Sequence, residues 1–145
     1  MAEQLYWDDV QEGQEIPPFS RKVTYMELNR FAGANDEYVL IHMDPDYAKN
    51  VAKLPDVIIM GNLKLAYIAN ALTGWAGDDG WIRKINIEYR KMDVVNATIT
   101  AKAKVAKKYE HDGKHLVDLE VWIENDKGEV TTPGRATVSL PSRRG

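Results

Sequence analysis

The chain has 145 residues with Lys+Arg 19 against Asp+Glu 22, a net charge of −3 that gives no reason to expect a nucleic-acid partner. It contains no cysteine, which excludes disulfides, thiolate nucleophiles and zinc–sulfur sites. No apolar run approaches about 18 residues, and Met1-Ala2-Glu3-Gln4 is polar, so the expectation is one cytoplasmic domain over residues 1–145 with no membrane contact.

The first half reads as helix and loop. Thr24-Tyr25-Met26-Glu27 fits a capping box and predicts a helix from Tyr25 to about Gly33, with Leu28, Phe31 and Ala32 on one apolar side. Asp44-Pro45 reads as the start of a short helix carrying Tyr47, Ala48 and Val51, which Pro55 ends. The long helix is predicted over Asn62 to Trp75. Leu65, Ile68, Ala69, Leu72 and Trp75 make one face, Leu63, Ala66 and Tyr67 a second, and only Asn62, Lys64, Asn70 and Thr73 are clearly polar. A helix so apolar around its circumference should be buried on most sides.

The second half alternates with period two. Ile85, Ile87 and Tyr89 form one face of a strand; Ala97, Ile99, Ala101, Ala103 and Val105 a second; Val117, Leu119, Val121 and Ile123 a third; Ala136, Val138 and Leu140 a fourth. Asp112-Gly113 and Asn125-Asp126-Lys127-Gly128 supply hairpin turns. Strict alternation means an antiparallel sheet with one buried face. One buried helix and one long antiparallel sheet have a simple packing solution, in which the sheet wraps around the helix. This α+β arrangement is the hot-dog fold. It leaves a sheet edge and part of the helix open, so a homodimer or higher homo-oligomer is expected to cover them.

Chemistry concentrates between the first two helices. Glu37 stands five residues before His42. In a straight helix that spacing is about 500° of rotation and splays the two side chains apart. Val39, Ile41 and Asp44-Pro45 break the helix, so the carboxylate and imidazole can meet at one site, which is equipment for moving protons.

These residues resemble the MaoC-like dehydratases, the family of (R)-specific enoyl-CoA hydratases. Its hydratase motif runs Asp, any residue, Asn, Pro, an aliphatic residue and His. Here Phe31-Ala32-Gly33 is similar to the approach to the motif, and Ile41-His42-Met43-Asp44 with Ala48 to its second half. Leu54-Pro55-Asp56-Val57-Ile58 followed by Gly61 resembles the segment leading into the central helix. Arg90 to Thr100 is similar to the family's strand pair, and Gly134-Arg135-Ala136-Thr137-Val138 with Leu140-Pro141 to its last strand. The chain departs from the pattern at Glu37, at Val39-Leu40 in place of Asn-Pro, at Met60 where a His is usual, and at Asn62 where a Met is usual.

The resemblance implies a hydro-lyase acting on an acyl-CoA or acyl-carrier thioester, with coenzyme A as part of the substrate and neither cofactor nor metal. It implies that Glu37 and His42 activate a water, with Asp36 as a substitute carboxylate and Gly61 as the backbone donor to the thioester oxygen. Val39, Leu40, Ile59, Met60 and Asn62 would bind substrate, beside Ile58. Bland readings stand next to these. Glu37 is also explicable as a solvated loop carboxylate, Asp36 as a helix C-cap or surface charge, Gly61 as a tight helix entry, and Asn62 as an N-cap. Arg83, Lys84, Arg90 and Lys91 read as solvated faces or as receivers of the coenzyme phosphates, and His111 and His115 as a solvated hairpin end. A hot-dog thioesterase and a non-catalytic acyl-binding subunit are the alternative functions.

Overall fold

The computed structural model describes residues 3–145. The first helix, α1 (Tyr25–Asn35), starts where the capping residue places it: Thr24 Oγ1 accepts the Glu27 amide at 3.3 Å. It runs two residues past the expected end and stops at Asp36, whose left-handed backbone (φ 52°) closes the last turn. The Glu27 side chain does not return to Thr24. It accepts the Tyr67 hydroxyl at 2.8 Å and so joins α1 to the central helix. The Asp44 carboxylate accepts the Asp46 and Tyr47 amides at 2.9 and 3.1 Å, opening a wide π-helical turn over Tyr47–Val51.

The central helix, α2 (Gly61–Ala76), begins one residue before the expected start. Its N-cap is Met60, which offers no side-chain bond, so Asn62 is not the cap. The strands β1 (Phe19–Lys22), β2 (Trp81–Ile87), β3 (Thr98–His111), β4 (Lys114–Glu124) and β5 (Val130–Ser139) form one antiparallel sheet in the order β1-β3-β4-β5-β2. The helix packs on all five strands. A register shift between Val105 and Lys107 marks a bulge that bends the long β3 strand. The hot-dog arrangement expected from the sequence is the one observed.

The alternation translates into burial almost residue for residue. Ile99, Ala101, Ala103 and Val105 on β3, and Val117, Leu119, Val121 and Ile123 on β4, are all shielded from water. They face Leu63, Ile68 and Leu72 of the helix within one core. Each fully buried valine, leucine or isoleucine side chain contributes about 1.5–3 kcal/mol. Asp112 (φ 49°) and Gly113 (φ 71°) both take left-handed backbone in the two-residue turn joining β3 to β4, as a type I′ hairpin requires.

Two expectations, for Tyr89 and His115, are revised, and the burial of α2 and of Trp81 is particular. Of the four polar residues of α2, Lys64 is buried, while Asn62, Asn70 and Thr73 are exposed with Leu65, Ala66 and Ala69 half-buried beside them. Tyr89 lies beyond the end of β2. His115 is partly covered, its ring 5.0 Å from that of Trp7, and only His111 is solvated. Trp81 is 65% exposed on β2, which pairs only with β5. No helix among the described residues is long and apolar enough to cross a membrane.

Candidate active site

The segment after α1 is short and polar, and it returns the chain to the amino end of α2. A tight 3-10 turn over Leu40–His42, closed by the His42 amide on the Val39 carbonyl at 2.9 Å, turns the imidazole inward. The same turn leaves Val39 and Leu40 on the surface, 47% and 45% exposed. The Ile58 amide donates to the Ile41 carbonyl at 3.0 Å, and Ile58 bridges to Val94. These bonds lace the turn, the entry to α2 and the chain after β2 into one wall.

His42 is nearly buried, and its Nδ1 lies 2.8 Å from the Ile58 carbonyl oxygen. A carbonyl only accepts, so Nδ1 carries the hydrogen and Nε2 presents its lone pair. The Glu37 carboxylate stands 4.0 Å from that Nε2. This is too long for a direct hydrogen bond, but one water about 2.8 Å from each atom can bridge the gap. The other carboxylate oxygen accepts Asn35 Nδ2 at 2.9 Å and Asn62 Nδ2 at 3.4 Å. Two amides from two helices therefore fix the orientation of Glu37.

Both groups line an open cleft of about 300 Å³ with Ile58, Ile59, Gly61 and Asn62. Lys64, Tyr89, Arg90, Lys91 and Met92 complete it. The cleft sits at the amino end of α2, where the Leu63 and Lys64 amides turn back to the Met60 carbonyl at 3.2 and 3.3 Å. The Gly61 and Asn62 amides have no carbonyl within the helix to meet, and the helix dipole adds positive potential there. Burial holds the Tyr89 phenol above its usual range, and the Glu37 charge adds to the effect.

Of the expected site residues, the fold brings together Glu37, His42, Gly61, Asn62 and Ile59. Asp36 is an exposed helix end whose amide bonds to the Ala32 carbonyl, and it does not line the cleft. Val39 and Leu40 face solvent outside it, and Met60 is wholly buried in the core beneath it. Arg90 and Lys91 reach the cleft already paired, with Glu88 and Glu129. The sequence did not single out Asn35, Lys64 or Tyr89 for the site. Among the described residues no cluster of three or more His, Asp or Glu side chains is arranged to hold a metal ion. Two larger hollows, of about 380 and 430 Å³, meet at Asn86 and Arg135 on the sheet and contain neither member of the Glu37–His42 pair.

Residues 10–126 match the MaoC-like domain family. The chain belongs to that family. Solved structures with the same fold include an (R)-hydratase from A. caviae involved in PHA biosynthesis, with a TM-score of 0.82 at 22% identity, covering 92% of this chain and 98% of that one. The R-hydratase PhaJ1 from Pseudomonas aeruginosa superposes with a TM-score of 0.88 at 17% identity over 98% of this chain and 89% of that one. A MaoC-like dehydratase from Rhodospirillum rubrum gives 0.81 at 16% identity over 96% and 98%. At these identities the likeness speaks for the fold. A search of curated proteins gave no match. In this MaoC-like domain the match ends inside the hairpin turn between β4 and β5, so the family likeness in sequence spans the helix-and-loop half, the entry to α2 and β2–β4.

Proposed function

We propose that this MaoC-like protein adds water to, or removes it from, a 2-enoyl thioester carried on coenzyme A or an acyl-carrier protein. The observation that carries this reading is the Glu37 carboxylate and His42 Nε2, 4.0 Å apart in one cleft at the amino end of α2. Glu37 orients the bridging water, and His42 Nε2 takes one of its protons as the oxygen bonds to C3. The C2=C3 electron pair moves toward C2 and the thioester oxygen. The pair then returns one proton to C2, so that one water has been added in total. Charge on the thioester oxygen is met by the Gly61 amide, whose loss would raise the barrier by roughly 2.7–4 kcal/mol. Glycine adds no side chain of its own to block that amide. Ile58 and Ile59 give the cleft the apolar wall an acyl chain needs. Arg90 and Lys91 suit the coenzyme phosphates once they exchange Glu88 and Glu129 for them. No cofactor is required, and the protein acts in the cytoplasm.

The test is incubation with crotonyl-CoA. Loss of enoyl absorbance without release of thiol supports hydration. Release of free thiol would instead make the protein a thioesterase, and binding without either change would make it a non-catalytic acyl-binding subunit.

The active form is proposed to be a homodimer. The outer edge of β2 is unpaired, Trp81 is exposed on it, and Leu65, Ala66 and Ala69 leave part of α2 half-covered. Sedimentation equilibrium at the chain mass of 16.4 kDa would overturn this.

A further inference from the structure

Tyr89 has no part in the mechanism just given, yet its ring is pressed onto the first residue of α2. A methyl group placed on Gly61 would lie 2.7 Å from the hydroxyl-bearing ring carbon Cζ and 2.8 Å from Cε2. The phenol end of Tyr89 therefore stands over the helix terminus, in the cleft that also holds Glu37 and His42. Three other tyrosines, Tyr25, Tyr67 and Tyr109, spend their hydroxyls on the carboxylates of Asp56, Glu27 and Asp118. Tyr89 makes no such bond, and it is 52% exposed.

The main chain around it is held. The Glu88 amide donates to the Pro133 carbonyl at 2.9 Å, and the Arg90 and Lys91 amides both donate to the Thr131 carbonyl at 3.1 Å. Two residues beyond Lys91, Asp93 is bound to Lys64 of α2 at 2.6 Å. The position of Tyr89 is thus fixed from β5 on one side and from α2 on the other, and rotation of its side chain is the freedom that remains. A main chain held in this way needs no rearrangement when the substrate arrives, and only the side chain turns.

We propose that the Tyr89 hydroxyl is a second hydrogen-bond donor to the thioester oxygen, acting beside the Gly61 amide. The assignment rests on the hydration reading above. The phenol donates a hydrogen bond without giving up its proton, so the balance of the reaction is unchanged. The partly covered phenol is held above its usual range and stays protonated at neutral pH, as this role requires.

Two measurements on Tyr89→Phe test the assignment. The first is turnover of crotonyl-CoA, where kcat is expected to fall on the order of 10²-fold with KM little changed. The second is the infrared carbonyl stretch of bound butyryl-CoA, a saturated thioester that cannot react. Its shift to lower frequency should be large in the wild type and smaller in the variant. If the wild type turns over crotonyl-CoA and the variant keeps both its kcat and the carbonyl shift, the Tyr89 role is overturned and the hydration reading stands. If the wild type hydrates nothing but the shift depends on the hydroxyl, the hydration reading falls while Tyr89 keeps its place as the thioester donor. If Tyr89→Phe is unchanged and Tyr89→Ala only tightens binding, the ring is a cover, and the assignment fails. A wild type that binds neither thioester overturns both.

Discussion

The ammonium of Lys64 lies 2.6 Å from an Asp93 carboxylate oxygen, and the two side chains are 3% and 2% exposed. Thr131 on β5 donates to the same oxygen at 2.7 Å, and the Lys91 carbonyl accepts a second bond from the ammonium at 3.1 Å. Three parts of the chain meet at this point: the first turn of α2, the segment after β2, and β5. Removing two charges from water costs several kcal/mol per ion, which only close pairing offsets. Nothing local in the sequence marks Lys64 for such a place.

Removing one partner should therefore be expensive. Lys64→Met is expected to destabilise the fold by about 3–5 kcal/mol, because Asp93 is left charged and buried. Combining it with Asp93→Leu should recover most of that loss, less about 1 kcal/mol for the Thr131 hydroxyl that loses its acceptor. Urea denaturation of the single and double variants at neutral pH measures both. A single variant as stable as the wild type would show that the pair contributes nothing.

The Glu37–His42 pair should behave in the opposite way. His42→Ala is expected to lower turnover of an enoyl thioester by about 10²–10⁴-fold. Its stability cost should be near that of the lost bond to the Ile58 carbonyl, about 0.5–1.5 kcal/mol. Steady-state rates read beside melting curves separate the two effects. Equal turnover in wild type and variant would remove His42 from the chemistry.

Two glycines should respond differently to alanine. At Gly134 a methyl would run into the Asn86 carbonyl oxygen and the Ile87 main chain, across the rung where β5 meets β2. Main chain cannot swing aside, so Gly134→Ala should cost about 1–3 kcal/mol or more. At Gly61 the obstacle is the tip of the Tyr89 side chain, which can rotate. Gly61→Ala should thus keep or raise stability, by up to about 0.5–1 kcal/mol for alanine in a helix, while weakening thioester binding. Calorimetric binding of butyryl-CoA and denaturation midpoints check both halves.

Acid and alkali should each weaken the fold at known groups. The Val57 amide and then the Tyr25 hydroxyl hold the Asp56 carboxyl below its ordinary 3.8. A lowered folded-state value gives stability that is present above 3.8 and lost as pH falls through the folded value. Asp56→Asn should flatten the loss of stability below that pH. Tyr67, mainly through burial, and Tyr25, mainly through its bond to Asp56, are raised above 10.0. Their contribution is present below 10.0 and fades at higher pH. Phenolate absorbance in the native protein should accordingly lag behind that of the unfolded chain.

The sheet was legible because its signal is local. Ile99 to Val105 and Val117 to Ile123 carry their own alternation, and burial follows it. The α1 start was equally local, since Thr24 and the Glu27 amide are one turn apart. The site was legible where its parts lie close in sequence, as Glu37 and His42 do, and where the family resemblance marked the entry to α2 at Ile59, Gly61 and Asn62. Lys64 read only as one of four polar residues of α2, because its partner lies beyond β2 and the chain gives no sign that they meet. Tyr89 continued the period of Ile85 and Ile87, but the strand ends at Ile87, and the chain beyond it crosses the end of the helix. Val39, Leu40 and Met60 were expected to bind substrate because they are apolar neighbours of the motif. The direction of each was decided by the turn at Leu40–His42 and by the core under α2.

The imidazole of His42 takes its bearing from a peptide oxygen, that of Ile58. Every amino acid presents the same atom there, so exchanging Ile58 for another aliphatic residue would reshape the acyl wall without retuning the base. Substrate range and proton chemistry are thereby uncoupled at this point. A lineage, or an engineer, could widen the chamber for a bulkier chain while the tautomer stays as it is.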